Sequence, residues 1–472
     1  MFGLDTGLTV LLLLCLVAAL SFEFINGFHD TANAVATVIY THSLKPNVAV
    51  IWSGIWNFIG VNVGGIAVAM GIVNLLPTEA LIDQNIYHAM AMILSLVLTA
   101  IIWNLGTWYF GIPCSSSHTL LGSIFGVGIA YMLLPGSNSI ALNWQKVSDV
   151  GLSLLISPLF GFGMALGLMY LLKVLVRKNK TIFKEPPAKK APPLWIRSIL
   201  ILTCTSVSFS HGSNDGQKGV GLIMIILIGI VPFKFAIDHT QSPEALLNKV
   251  NKVELVLNKV DVNKLKADDK KNFSIISDRI DSINLILVNK KNFEEIADNK
   301  HFEIRKDILL ITKKTDKILS AYGSTILLNS TKEEFASLKS DIKGMKSFTE
   351  YSPWWVILMV SLALGLGTMV GWKRIVVTIG EKIGKSHLTY AQGASAEIVA
   401  ASTIGVSTWL GLPVSTTHVL SSGIAGTMVA ESGKSNLQMK TVRNIAIAWL
   451  ITLPVTIIMA GLLFLLLRLI MG

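Results

Sequence analysis

Apolar runs recur along this chain near residues 8–41, 47–72, 89–110, 118–135 and 151–175, and again near 195–232, 353–372, 389–410, 418–431 and 443–471. Most are long enough to cross a hydrocarbon core of about 30 Å as helices. A helix satisfies its own backbone inside a bilayer, so the pattern predicts an all-α polytopic membrane protein with few water-facing elements. The first run follows no basic leader and passes directly into a polar motif, which predicts a retained helix rather than a cleaved signal. One stretch breaks the pattern. From about residue 234 to 350 the chain turns rich in Lys, Asn, Asp and Glu. Within it Leu246, Val250, Val253, Leu257 and Val260 keep helical spacing, predicting amphipathic helices packed on one another in an extramembrane domain. That domain carries no nucleotide-binding loop and no paired Cys/His cluster.

Two polar motifs each occur twice. Gly27-Phe28-His29-Asp30-Thr31-Ala32-Asn33 matches Gly212-Ser213-Asn214-Asp215-Gly216-Gln217-Lys218 at an offset of about 185 residues. Gly111-Ile112-Pro113-Cys114-Ser115-Ser116-Ser117-His118 matches Gly411-Leu412-Pro413-Val414-Ser415-Thr416-Thr417-His418 at an offset of about 300. The mismatch of about 115 residues measures the polar insert. The chain therefore divides into a first transmembrane repeat (1–175), a basic linker (176–194), the start of a second repeat (195–233), a hydrophilic helical insert (234–350) and the rest of the second repeat (351–472). Each repeat holds about five hydrophobic segments, and an odd number inverts the second copy. The basic loops 173–197 and 373–385 are two crossings apart, while 73–88 holds Glu79 and Asp83 but no Lys or Arg. The charge rule then predicts cytoplasmic basic loops, with both termini and the insert outside and the two Pro-Ser hairpins entering from opposite faces.

Composition adds little to this. Hydrophobic residues make up 52% of the chain and charged ones 15%, and the net charge of +11 clusters in loops, a positive-inside signal rather than a nucleic-acid surface. The three cysteines, Cys15, Cys114 and Cys204, are scattered and fit neither a disulfide framework nor a metal-ligand pattern. No metal ligand set and no cofactor are read from the sequence, and self-association into a homo-oligomer stays open.

The chemistry lies in the repeated motifs. Asp30 and Asp215 interrupt apolar segments, where an ionised carboxylate is expensive unless a cation or hydrogen-bond donors surround it. Asn26, Asn33, Asn214 and Gln217 offer carbonyl oxygens nearby. Gly27, Gly212, Gly216 and Gly219 predict local unwinding that exposes backbone carbonyls, completing a cage for a proton or Na⁺. The structural alternative is a carboxylate neutralised by Lys218 simply to hold helices together. In the second motif a helix-ending Gly-x-Pro precedes three hydroxyls and a renewed apolar run, which predicts a broken, re-entrant hairpin. Ser115, Ser116 and Ser117, with Ser415, Thr416 and Thr417, would crown two helix N-termini able to bind a tetrahedral oxyanion. Ordinary capping is the alternative, although capping alone does not call for three hydroxyls in a row. His29, His118 and His418 are candidates for proton exchange. Glu23 and Glu397 rank lower, as pathway groups or as glue between helices.

The segments GFHDTANAVATVIYT, GIPCSSSHTLLG, HGSNDGQKGVG and GLPVSTTHVLSSG together resemble the Pit family of inorganic phosphate transporters, most closely its low-affinity bacterial members. The resemblance covers both halves except the insert and the linker. It implies a multi-pass carrier in a bacterial inner or plasma membrane, with phosphate held between the hairpins and the Asp/Asn motifs. Ser115, Ser116, Ser117, Ser415, Thr416, Thr417 and Gln217 then inherit phosphate binding, while Asp30, Asn33, Asn214 and Asp215 inherit coupling-ion or substrate roles. Many sodium-coupled members carry Asn before the first Asp, whereas this chain has His29, which implies proton-driven carriage of neutral divalent metal–phosphate complexes. Sodium coupling, another oxyanion such as sulfate, and a membrane enzyme or sensor are the competing readings. Sulfate fits less well because at neutral pH it has no proton to donate to a carboxylate.

Overall fold

A computed structural model describes residues 2–76, 86–135, 142, 144–176, 180–187, 190–328 and 331–471. The loop acids Glu79 and Asp83 and part of the basic linker lie outside the described residues. The chain falls into two compact units, one of residues 5–226 with 352–472, the other of 227–351 with the first four residues.

The larger unit is helical. In its first half run α1 (Thr6–Tyr40), α2 (Pro46–Val63), α3 (Ala67–Val73), α4 (Ile86–Tyr109), α5 (Ser116–Met132) and α6 (Trp144–Leu175). Long α7 (Leu194–Ile230) opens the second half. Among the described residues, four helices, α1, α4, the stretch of α6 from Val147 and one near the C-terminus, are long and apolar enough to cross a membrane singly, and two bent pairs bring that number to six. The other apolar runs are of a different kind. The run near 118–135 folds as α5, whose 17 residues reach only about 25 Å. Long α7 is continuous but carries the polar motif Ser210–Lys218 at mid-length.

The smaller unit contains α8 (Pro243–Leu257), α9 (Ala267–Leu287), α10 (Asp298–Tyr322) and α11 (Lys332–Lys346). Leu246, Val250, Val253 and Leu257 of α8 are all buried and meet Ile276, Ile280 and Ile283 of α9, Ile304 and Ile308 of α10 and Leu338 and Ile342 of α11 in one core. Its two chain ends are tied together. The Asp238 amide donates to Phe348 O at 2.9 Å, and the Tyr351 hydroxyl donates to Ile237 O at 3.0 Å. Fully buried Arg305 donates to Ala236 O at 3.1 Å and Thr349 O at 2.6 Å. Burial pulls its guanidinium down to about 10, against the opposing pull of Tyr351 and Glu350.

After this unit the chain forms α12 (Trp354–Thr368), α13 (Lys373–Glu381), α14 (Tyr390–Trp409), α15 (Thr416–Ser432) and α16 (Met439–Met471). The halves repeat each other closely. The pairs α2–α3 and α12–α13 are bent by 73° and 63° at short breaks, each containing a glycine at positive φ, Gly65 and Gly371. Before the hairpins, Gly111 and Gly411 adopt φ of 64° and 69°, the left-handed turn that ends a helix cheaply only at glycine. Both α6 and α16 carry an internal proline, Pro158 and Pro454. Each 17-residue helix packs on the long helix of the opposite half: α5 lies against α16, and α15 against α6. Gly126 sits under the Ile457 backbone and Gly426 under that of Phe162, so any Cβ there would force the backbones apart.

Candidate functional site

The four repeated motifs meet inside the larger unit. α1 carries Asp30 and Asn33 on one face, and α7 carries His211, Asp215 and Lys218 on another, at i, i+4 and i+7. The N-termini of α5 and α15 deliver the hydroxyls. Ser115 and Ser415 are the N-caps, accepting from the His118 and His418 amides at 3.2 and 3.1 Å. That leaves the next two hydroxyls of each hairpin free of capping duty, and all four turn to the acid motifs.

Their contacts obey one two-fold rule. Ser116 Oγ donates to Asp30 Oδ2 at 3.1 Å, and Thr416 Oγ1 donates to Asp215 Oδ1 at 3.2 Å. Across the halves, Asn33 Nδ2 donates to Thr417 Oγ1 at 3.1 Å, and Lys218 Nζ donates to Ser117 Oγ. Thr417 also donates to Asp30, and Ser117 to Val414 O at 2.8 Å. The rule is broken in charge, because Lys218 stands where the first half has Asn33. Lys218 is 1% exposed and bonds Asp215 Oδ1 at 2.7 Å and Val414 O at 3.0 Å, so its three protons each have an acceptor.

His211 closes the cluster. Its Nδ1 lies 2.8 Å from Asn57 Oδ1, an acceptor whose own amide nitrogen donates to Thr368 Oγ1 at 3.0 Å. The proton is therefore on Nδ1, and Nε2 faces Asp215 Oδ2 at 3.6 Å and Asp30 Oδ2 at 4.0 Å. In the neutral ring that nitrogen presents a lone pair to two carboxylates, an arrangement that a proton or a cation would relieve. Asp30, His211 and Asp215 offer ligand atoms within 4.8 Å of one another, all buried. Neither His211 nor Lys218 stood among the candidate ligands of the sequence; their helical spacing with Asp215 was the available signal. The sequence likewise assigned no metal ligands, because this triad joins residues about 180 positions apart.

Other candidates are placed differently. Gln217 does not face the hydroxyls: its Nε2 donates to Gly64 O at 2.6 Å and Ser213 O at 2.7 Å, and its Oε1 accepts from Val68 N at 2.7 Å. It bridges the break between α2 and α3, replacing backbone bonds lost there, and in this arrangement it is not turned to the hydroxyls. Asn214 is occupied similarly, donating to Thr408 Oγ1 at 3.0 Å and Leu412 O at 3.2 Å. Nor do α1 and α7 unwind at Gly27, Gly212, Gly216 or Gly219; both helices run unbroken there. Gly27 and Gly212 instead admit the backbones of α12 and α2. His29 contacts Thr107 Oγ1 at 3.2 Å, with Nδ1 3.7 Å from Asp30. His118 and His418 lie against each other, rings 4.3 Å apart, with Trp449 stacked on His418 at 4.0 Å.

Paired half-helices whose N-termini converge on buried acids, in a chain of membrane-crossing helices, define a duplicated broken-helix membrane protein. The chain belongs to the phosphate transporter family, whose model matches residues 26–460. It is 43% identical to a low-affinity inorganic phosphate transporter of Buchnera aphidicola (subsp. Acyrthosiphon pisum), with 98% of this chain and 97% of that protein covered. It is 41% identical to the low-affinity inorganic phosphate transporter PitA of Escherichia coli, with 97% of each covered. A solved sodium-dependent phosphate transporter shares the fold, with a TM-score of 0.53 at 19% identity, covering 98% of this chain and 100% of that one.

Proposed function

We propose that this protein carries inorganic phosphate across the membrane together with a proton, accepting phosphate as its neutral complex with a divalent cation. The observation that carries this reading is the convergence of Ser116, Ser117, Thr416 and Thr417 with Lys218 on one side of Asp30, His211 and Asp215. Hydroxyls, a helix N-terminus and an ammonium suit phosphate oxygens. The carboxylates accept the proton of monohydrogen phosphate, which sulfate lacks. The imidazole nitrogen in the acid pair suits a proton better than Na⁺, and the two carboxylates offer the oxygens that a hard divalent cation takes.

The test is uptake of radiolabelled phosphate by purified protein in liposomes under separately imposed pH and sodium gradients, with and without Mg²⁺. Uptake driven by the pH gradient, raised by Mg²⁺ and competed by arsenate but not sulfate, is the expected result. Uptake that follows sodium and ignores pH would replace the coupling ion; no phosphate uptake under any gradient would overturn the proposal.

A further inference from the structure

The two-fold rule also fails behind the hairpins. Ser153 of α6 and Trp449 of α16 stand at equivalent places, five residues before the internal prolines Pro158 and Pro454. Each holds the proline carbonyl of the opposite half's hairpin: Trp449 Nε1 donates to Pro113 O at 3.1 Å, and Ser153 Oγ donates to Pro413 O at 3.2 Å. A second pair shows the same disparity in size. Trp103 of α4, eight residues before Gly111, is answered by Thr403 of α14, eight before Gly411. In the first half two indoles back the hairpin, with Trp103 Nε1 donating to Thr452 Oγ1 at 3.1 Å and that hydroxyl 3.0 Å from Cys114 Sγ. In the second half serine and threonine leave a groove of about 750 Å³ between α6 and α14, which reaches Leu412 and Val414 on either side of Pro413.

The second hairpin is held forward by the site itself. Val414 O accepts from Lys218 Nζ at 3.0 Å and from Ser117 Oγ at 2.8 Å, while the Val414 amide donates to Asn214 Oδ1 at 3.4 Å. Lys218 and Ser117 are the donors that suit a phosphate oxygen, and here a neutral backbone carbonyl takes them both. A charged oxygen is the stronger acceptor for an ammonium, so phosphate competes well for the same protons.

We propose that the Val414 carbonyl is a built-in competitor for phosphate. Phosphate enters by displacing it from Lys218 and Ser117, and the second hairpin withdraws into the groove behind it. Trp103 and Trp449 are positioning residues that keep the first hairpin fixed meanwhile. Apparent affinity is then set partly by how readily the second hairpin withdraws, because a site only fractionally open binds more weakly by that fraction. The inference rests on the phosphate-binding reading above, and the experiment separates the two.

Ser153→Trp, alone and with Thr403→Trp, gives the second half the bulk of the first and closes the groove. Titration calorimetry with inorganic phosphate and Mg²⁺ should show affinity reduced about tenfold or more, with melting temperature held or raised. Unchanged affinity in the folded variants would overturn the proposal. Hydrogen exchange of the wild type, followed in short peptides spanning 412–414 and 112–114, gives a second measurement that needs no substitution. Saturating phosphate should speed exchange at the Val414 amide about tenfold as it leaves Asn214, while the Cys114 amide stays within about twofold. Equal protection of both hairpins by phosphate would overturn the displacement and leave the binding site standing. No phosphate binding by the wild type would overturn both.

Discussion

Replacing Lys218 by methionine tests whether the buried cluster is held by charge. The ammonium is 1% exposed and bonded to Asp215 Oδ1 at 2.7 Å, to Val414 O at 3.0 Å and to Ser117. Methionine nearly preserves the volume but strands the Asp215 carboxylate with the Thr416 hydroxyl as its hydrogen-bond donor. Breaking one side of a buried pair costs about 3–5 kcal/mol, whereas removing both charges is often close to neutral. Lys218→Met should therefore destabilise the protein by about 3 kcal/mol or more. The double variant Lys218→Met/Asp215→Asn should recover most of that loss, giving a coupling of about 2–4 kcal/mol. Reversible unfolding in detergent, followed by circular dichroism for wild type, both single variants and the double, supplies the four corners. Additivity within about 0.5 kcal/mol would refute the pair as the stabilising element. Phosphate binding supplies an independent readout. The double variant should regain stability without regaining affinity, because the charge facing Ser117 is gone.

Gln217→Ala leaves the Val68 amide and the Gly64 carbonyl of the α2–α3 break without partners, at about 1–3 kcal/mol each, so melting temperature should drop while phosphate affinity in the folded fraction holds; an affinity loss without a stability loss would restore it as a ligand. Ser116→Ala and Thr416→Val should each weaken phosphate binding by about tenfold in titration calorimetry, corresponding to a lost charge-assisted bond of about 1.5–3 kcal/mol, with little change in melting. Asp30→Asn and Asp215→Asn should still insert, the latter with the stability loss of a broken buried pair, yet lose pH-driven uptake in liposomes; wild-type pH dependence in both would remove the acids from coupling.

Much of this was legible in the sequence, because duplication makes itself visible without any knowledge of contacts. The paired motifs marked the hairpins, their caps and the two acids, and the composition shift marked the insert. What escaped were meanings that depend on a distant partner. Glycine serves both to unwind a helix and to let another approach, and at Gly27 and Gly212 only the neighbouring backbones of α12 and α2 decide between the two. Gln217 sits amid the motif, yet its partners Gly64 and Val68 lie about 150 positions earlier. Lys218 read as a neutraliser of Asp215, which it is, but its reach to Ser117 appears only once α5 and α7 are side by side.

The closed root of the smaller unit bears on how the chain folds. Asp238 and Phe348 share a backbone hydrogen bond, and Arg305 clasps both strands of the junction. Once that knot forms, about 110 residues of intervening chain no longer count as a loop that the flanking helices must close, and the entropic toll of joining α7 to α12 falls to that of a short connection. The unit behaves as a parenthesis in the sequence, free to lengthen, shorten or carry a fluorescent tag within its interior loops without altering which helices find each other.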